Sequence, residues 1–116
     1  MALCDGNEII RRGDVVTVAL PGAYGKPRPA LVIQSDLFNA HPSVTVLPLT
    51  SELRRLRIVR VAIKPTAENG LKTPSQIMVD KMSTIPREKI GKRLGVLDDA
   101  SILAVNRSLA VFLGFV

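Results

Sequence analysis

Glycine and proline, eight of each, cut this chain into short lengths. Between them lie runs rich in β-branched residues, each bounded by turn formers, which is the pattern of short strands. RRGDVVTVAL (11–20) starts on a basic-Gly turn, becomes β-branched at Val15, Val16 and Val18, and ends in PGAYGKP. PALVIQS (29–35) is almost continuously apolar and reads as a strand buried on both faces. SVTVLPLT (43–50) alternates, with Pro48 near its end. RIVRVAIKP (57–65) sets Ile58, Val59, Val61 and Ile63 among Arg57, Arg60 and Lys64, a fourth strand with one solvated basic face. SQIMVDKMSTI (75–85) is a fifth strand, and RLGVL (93–97) follows a short turn at PREKIGK. LFNAHPS and TAENGLKTP are loops, and SELRRL is a basic connection or a single helical turn.

Only residues 98–114 carry the helical period. Asp98 caps the start, Asp99 complements the helix dipole, and Gly114 ends the segment. Ile102, Val105, Leu109 and Phe112 recur on one face. Five or six short strands followed by one helix predict a mainly β fold, a small curled antiparallel barrel with the C-terminal α-helix over its open end or side. A chain of 116 residues suits a single core. That core is aliphatic, because Tyr24, Phe38, Phe112 and Phe115 are the only aromatic residues. Residues 1–9 read as a poorly ordered lead-in and 10–116 as the single domain.

Several function classes are disfavoured by composition. Cys4 and His41 stand alone, so a zinc site or a disulfide within one chain is not expected, and no cofactor is called for. His41 lies in the loop NAHPS, with no nucleophile elbow to serve. PGAYGKP lacks the spacing of a phosphate loop. No apolar run approaches the ~20 residues of a membrane span. MALCDGNEII has no signal pattern, so cytoplasmic residence is the expectation. The net charge of +6 fits a polyanionic partner such as nucleic acid, and equally serves solubility.

Arg28 stands between Pro27 and Pro29 at the mouth of the second strand. Proline fixes its own φ and restricts the residue before it, so the backbone of Arg28 is held extended. Such rigidity suits a charge that must occupy one place. The plain alternative is an ion pair at a barrel rim. Thr50 ends PLT, where its hydroxyl can serve a ligand or merely cap a turn.

RRGDVVTVAL, KPRPALVIQSD, VLPLTS and GLKTPSQIMVDKMSTI, in that order and ahead of an amphipathic helix, resemble the MazF/PemK family of toxins from bacterial toxin–antitoxin pairs. The resemblance runs from about Ile10 to about Leu113. It implies an SH3-like barrel of the MazF/CcdB type, a homodimer, and sequence-selective, metal-independent cleavage of single-stranded RNA. It also implies a cognate antitoxin that blocks the RNA groove with an acidic, disordered segment. Carried onto this chain, it makes Arg28 and Thr50 catalytic, with Ser51 offering a second hydroxyl. Asp80 is a weaker candidate base. Some PemK-like members carry an Arg-x-Asp pair there, and Met78 stands in the arginine's place. RNA grip is expected from Tyr24, Lys26, Gln34, Arg54, Arg55, Arg57 and Gln76, with Arg60 adding to the first basic cluster. Arg87, Lys89, Lys92 and Arg93 make a second basic set, and either set could be a solvated face. Two alternatives stand beside this reading: a gyrase-poisoning toxin of the CcdB type, disfavoured by the absence of Trp, and a non-catalytic SH3-like module that binds RNA or a peptide.

Overall fold

The β-branched runs form seven short strands in a computed structural model, which describes residues 9–19 and 26–116. Most of the expected lead-in, and Tyr24, lie outside those residues. The strands are β1 (Asp14–Val18), β2 (Arg28–Val32), β3 (Ser43–Thr50), β4 (Arg60–Ile63), β5 (Ser75–Met78), β6 (Ser83–Pro86) and β7 (Ile90–Val96), followed by the helix α1 (Asp99–Phe112). Every pairing is antiparallel. The sheet runs β4-β5-β3-β2-β1-β7, with β6 also paired to β3. It curls like a barrel, but the pairings do not close into a ring among the described residues. None of the helices described is long and apolar enough to cross a membrane.

Successive residues of the central strands point into different cores, as a pleated strand requires. Val15, Leu31 and Leu47 meet Ile77, Val79, Val105 and Leu109 on the helix side. Val16, Ala30, Val32 and Val46 meet Ile85 and Ile90 on the other. The middle of the sheet is therefore covered on both faces, which explains the nearly unbroken apolar run of β2.

The fifth expected strand is in fact two. Leu49 faces Ile77 and Val46 faces Ser83, so three steps along β3 correspond to six along its neighbour. The extra residues form a 3-10 turn, Val79–Lys81, that drives fully buried Val79 into the helix-side core. The fourth strand is shorter than expected and turns its arginine inward. Arg60 is nearly buried and its guanidinium binds Asp80, so the solvated basic face foreseen there excludes it.

Both expected helix ends form. The Asp98 carboxylate accepts from the Ser101 N–H at 3.1 Å, and Gly114 takes φ +82°. The buried stripe differs from the expected one. It holds Val105, Ser108 and Leu109, whose middle member donates its hydroxyl to the Ile58 carbonyl, while Phe112 is 45% exposed. The Arg-Gly-Asp turn is consumed by the fold. Buried Asp14 accepts from the Arg11 N–H at 2.9 Å and from Arg93 Nε at 3.1 Å, and Arg12 reaches Ile33 O and Asn106 of the helix.

Candidate active site

Pro29 and Pro48 lie where β2 begins and β3 ends. Ala30 pairs with Pro48, Leu31 with Leu47 and Val32 with Val46. Continuing that register by two residues aligns Arg28 with Thr50. Pro29 brings no N–H to the ladder at the next hydrogen-bonding position, opposite Leu49, and the ladder stops short of Arg28 and Thr50. A cleft of about 690 Å³ occupies this end of the sheet, and Arg28, Thr50 and Ser51 all line it. Its floor is apolar, with Pro29, Pro48, Leu49, Leu71, Met78 and Leu94.

Among the described residues, the Arg28 side chain has no hydrogen-bond or ion-pair partner, and it is exposed. The rim ion pair is therefore absent from this set. Thr50 caps a turn and also lines the cleft. Its Oγ1 accepts the Glu52 N–H at 3.0 Å, which fixes the oxygen and leaves the hydroxyl proton to donate elsewhere. Glu52 is the one carboxylate in the cleft lining and pairs with Arg54. The remaining polar side chains can all donate: the Arg28 guanidinium, the Thr50 and Ser51 hydroxyls and, on the far chain segment, Lys72, Thr73 and Ser75, the last donating to Thr73 O at 3.0 Å. An array of donors around an apolar floor suits an anionic ester carrying a flat apolar group.

Asp80 lies outside the cleft lining. Its carboxylate accepts from Arg60 Nε at 3.0 Å and from the terminal Arg60 nitrogen at 3.4 Å. The Arg60 hydrogen bond holds it below the usual carboxylate range, against the opposing pull of burial. A carboxylate so engaged is a poor proton acceptor. Met78, two residues before Asp80, does line the cleft and adds to its apolar floor.

Other expected RNA contacts fall into separate groups. Gln76 bonds both ways to the Arg54 backbone, donating to its carbonyl at 2.8 Å and accepting its N–H at 3.0 Å, and so ties the segment after Thr50 to β5. Gln34 is equally committed, to Phe38 O, Ser43 O and Thr45 N–H. It lies six residues beyond Arg28, roughly 20 Å along an extended chain. His41 belongs to that same distant end, where its Nδ1 accepts the Ser43 N–H at 3.1 Å. Lys26, Arg55 and Arg57 are exposed; Lys26 precedes Arg28 closely, whereas Arg57 lines a second groove against α1. In the second basic set, Arg87 donates to His41 O and Arg93 binds Asp14.

Residues 70–73, which form the far wall of the cleft, lie within the expected loop TAENGLKTP. Its visible signal was a cation and a hydroxyl, Lys72 and Thr73, set between Gly70 and Pro74.

Residues 11–113 match the model of the PemK-like, MazF-like toxin of type II toxin–antitoxin systems. A probable endoribonuclease MazF from Mycolicibacterium smegmatis is 46% identical over 106 residues, spanning 90% of this chain and 97% of that protein. A mycobacterial endoribonuclease solved in complex with its cognate antitoxin superposes with a TM-score of 0.78 at 27% identity, covering 92% of this chain and 97% of that one. Mycobacterium tuberculosis toxin MazF-mt6 superposes with a TM-score of 0.76 at 27% identity, over 87% and 96%.

Proposed function

The chain belongs to the PemK-like, MazF-like toxin family of type II toxin–antitoxin systems, and from that footing we propose that it is an endoribonuclease toxin that cuts single-stranded RNA at selected sequences without a metal. The observation that carries this reading is the convergence of Arg28, Thr50 and Ser51 on one cleft. Relatives named as endoribonucleases favour it over a gyrase poison and over a non-catalytic binding module.

RNA brings its own nucleophile. The 2′-oxygen bonds to phosphorus, the phosphorus–O5′ bond breaks, and the 2′-hydroxyl proton is lost while O5′ takes one up. The products are a 2′,3′-cyclic phosphate and a 5′-hydroxyl. Negative charge grows on the non-bridging oxygens at the pentacoordinate stage. Arg28 answers it with two parallel N–H donors of fixed geometry, placed before the reaction begins. Thr50, its oxygen already held by the Glu52 N–H, donates to the same phosphate or to the 2′-oxygen. Ser51 adds a second hydroxyl. The apolar floor receives the adjacent base by contact rather than by aromatic stacking. Asp80, tied to Arg60, is left out of the chemistry.

The partner is a cognate antitoxin whose disordered, acidic segment occupies the same cleft. The working unit is a homodimer, resident in the cytoplasm with its substrate. Purified, antitoxin-free protein incubated with a long defined RNA in EDTA tests the reading. Cuts that leave a 5′-hydroxyl are expected. Strict dependence on added divalent metal overturns the metal-free mechanism, and inhibition of a topoisomerase without RNA cleavage replaces the reading with the gyrase alternative.

A further inference from the structure

The second wall of the cleft is built around one buried side chain. Asn69 is 2% exposed. Its Oδ1 accepts from the N–H groups of Thr66 and Leu71, each at 3.0 Å. Its Nδ2 donates to Lys64 O at 2.9 Å, and its own N–H donates to Thr66 Oγ1 at 3.0 Å. The turn is thereby closed on itself, and it is also pressed onto β7. The Val96 N–H donates to Glu68 O at 2.8 Å. A Cβ on Gly70 would stand 2.1 Å from Leu94 O, and one on Gly95 would stand 2.1 Å from Glu68 O. Backbone lies directly on backbone, so the turn has no room to slide. Gly70 takes φ +69°, which redirects the chain toward the cleft.

Lys72 emerges one residue after the last of these anchors. It is exposed, it lines the same cleft as Arg28 and Thr50, and its ammonium has no hydrogen-bond or ion-pair partner among the described residues. A flexible lysine stem on a mobile loop would lose its charge contact to entropy; a rigid mount removes much of that loss. We infer that Lys72 binds a backbone phosphate of the RNA beside the scissile one, and that Asn69 is the positioning residue that holds it there. This rests on the ribonuclease reading. Arg28 serves the phosphate whose charge changes, whereas Lys72 serves one whose charge stays constant, so its contribution is uniform binding rather than a lowered barrier.

The test uses the full chain and an RNA that it cuts, remade with 2′-O-methyl groups throughout so that binding is seen without cleavage. Anisotropy is followed across a series of salt concentrations. Each phosphate contact contributes about −0.7 to the slope of log K against log salt for a single strand. Lys72→Ala should flatten the slope by that amount, weaken binding about tenfold near 0.1 M salt, and raise KM about tenfold with kcat within about twofold. Lys72→Arg should restore slope and KM, because it keeps the charge. Asn69→Ala should raise KM alone, and adding Lys72→Ala to it should do less than Lys72→Ala does in the native chain. Additive effects overturn the positioning role of Asn69, and if that variant fails to fold the Lys72 measurements still decide the phosphate contact. A native slope and KM in Lys72→Ala, beside an inactive Arg28→Ala, overturn the proposal and leave the ribonuclease reading intact. A native chain that neither binds nor cuts RNA overturns both.

Discussion

Arg28 and Arg60 show how one residue type is used in opposite ways. Arg28 is kept exposed and unpaired among the described residues, at the mouth of the cleft, while Arg60 is sunk into the fold and neutralised by Asp80. Arg28→Ala should lower turnover by at least about a hundredfold, the scale for one preorganised charge donor, with an unchanged melting curve. A cleavage rate near that of the native chain removes Arg28 from the mechanism. Arg28→Lys should also be impaired, since a point charge cannot reproduce the two-pronged fork. The Arg60–Asp80 pair belongs to stability instead. Asp80→Asn leaves Arg60 without its counterion, and should cost about 2–3 kcal/mol, less than the ~3–5 of a fully buried pair because Asp80 retains contact with water. The lowered pKa of Asp80 means that the folded state favours its ionised form. That stabilisation is present above the ordinary value of 3.8 and is lost as pH falls through the lower folded value. In urea melts the stability gap between the native chain and Asp80→Asn should therefore be smaller near pH 3 than at neutral pH. An equal gap at both values removes the carboxylate from the acid response.

At the scale of elements, the cleft exists because two neighbouring parts of the chain are prevented from closing it. Pro29 removes a donor from the β2–β3 ladder on one side, and the Asn69 turn is wedged on β7 on the other. Gly95 makes the wedge testable. Any side chain there meets Glu68 O and the Asn69 backbone at under 3 Å, so the turn must shift. Gly95→Ala should lose about 1–3 kcal/mol, the usual range for overpacking. Gly114→Ala is the contrast: nothing lies within 4 Å, and only its positive φ is strained, so about 1 kcal/mol is expected. Denaturant midpoints compare the two. Equal losses would mean that the contact with Glu68 relaxes freely and that the turn is not clamped.

Considered as a whole molecule, the chain leaves its C-terminal apolar residues uncovered. Val111, Leu113, Phe115 and Val116 are between 46% and 87% exposed, and Leu103 and Phe112 add to them. Contiguous apolar surface of this kind marks an interface, and a twofold homodimer is the occupant proposed above. Light scattering at micromolar concentration should give twice the chain mass; a stable, active monomer contradicts it. The basic cleft also sets the terms of inhibition. An acidic, disordered segment can use Arg28 and the exposed Arg54–Arg57 stretch, with apolar anchors on the cleft floor. Its affinity should fall as salt rises. A fluorescent RNA that cannot be cut should be displaced from at least one site of the dimer. Simultaneous binding at full occupancy with unchanged affinities would show that the inhibitor acts elsewhere.

Strands, turns and both helix ends were legible because their causes are local. β-Branched runs, Gly and Pro breaks, and Asp98 act over a few residues, and the predicted 43–50 strand coincides with β3. The pairing of Arg28 with Thr50 in one site was legible only through the family motifs, since no local rule sets the register of two strands. Other features required the folded chain. The sequence 75–85 carries an unbroken strand pattern, yet the separate positions of β5 and β6 along β3 force a turn at Val79. Arg60 looks like one of four surface arginines until Asp80 arrives from twenty residues away. Gln34 and Gln76 look free until the backbones they hold are folded beside them. Lys72 becomes a candidate only once Gly70 and Gly95 let two backbones touch. Residue type and period determined which segments could be strands and helix; long-range pairing decided which polar groups were spent on the fold and which were left for a ligand, because a side chain's partners are set by three-dimensional neighbours that sequence distance does not encode.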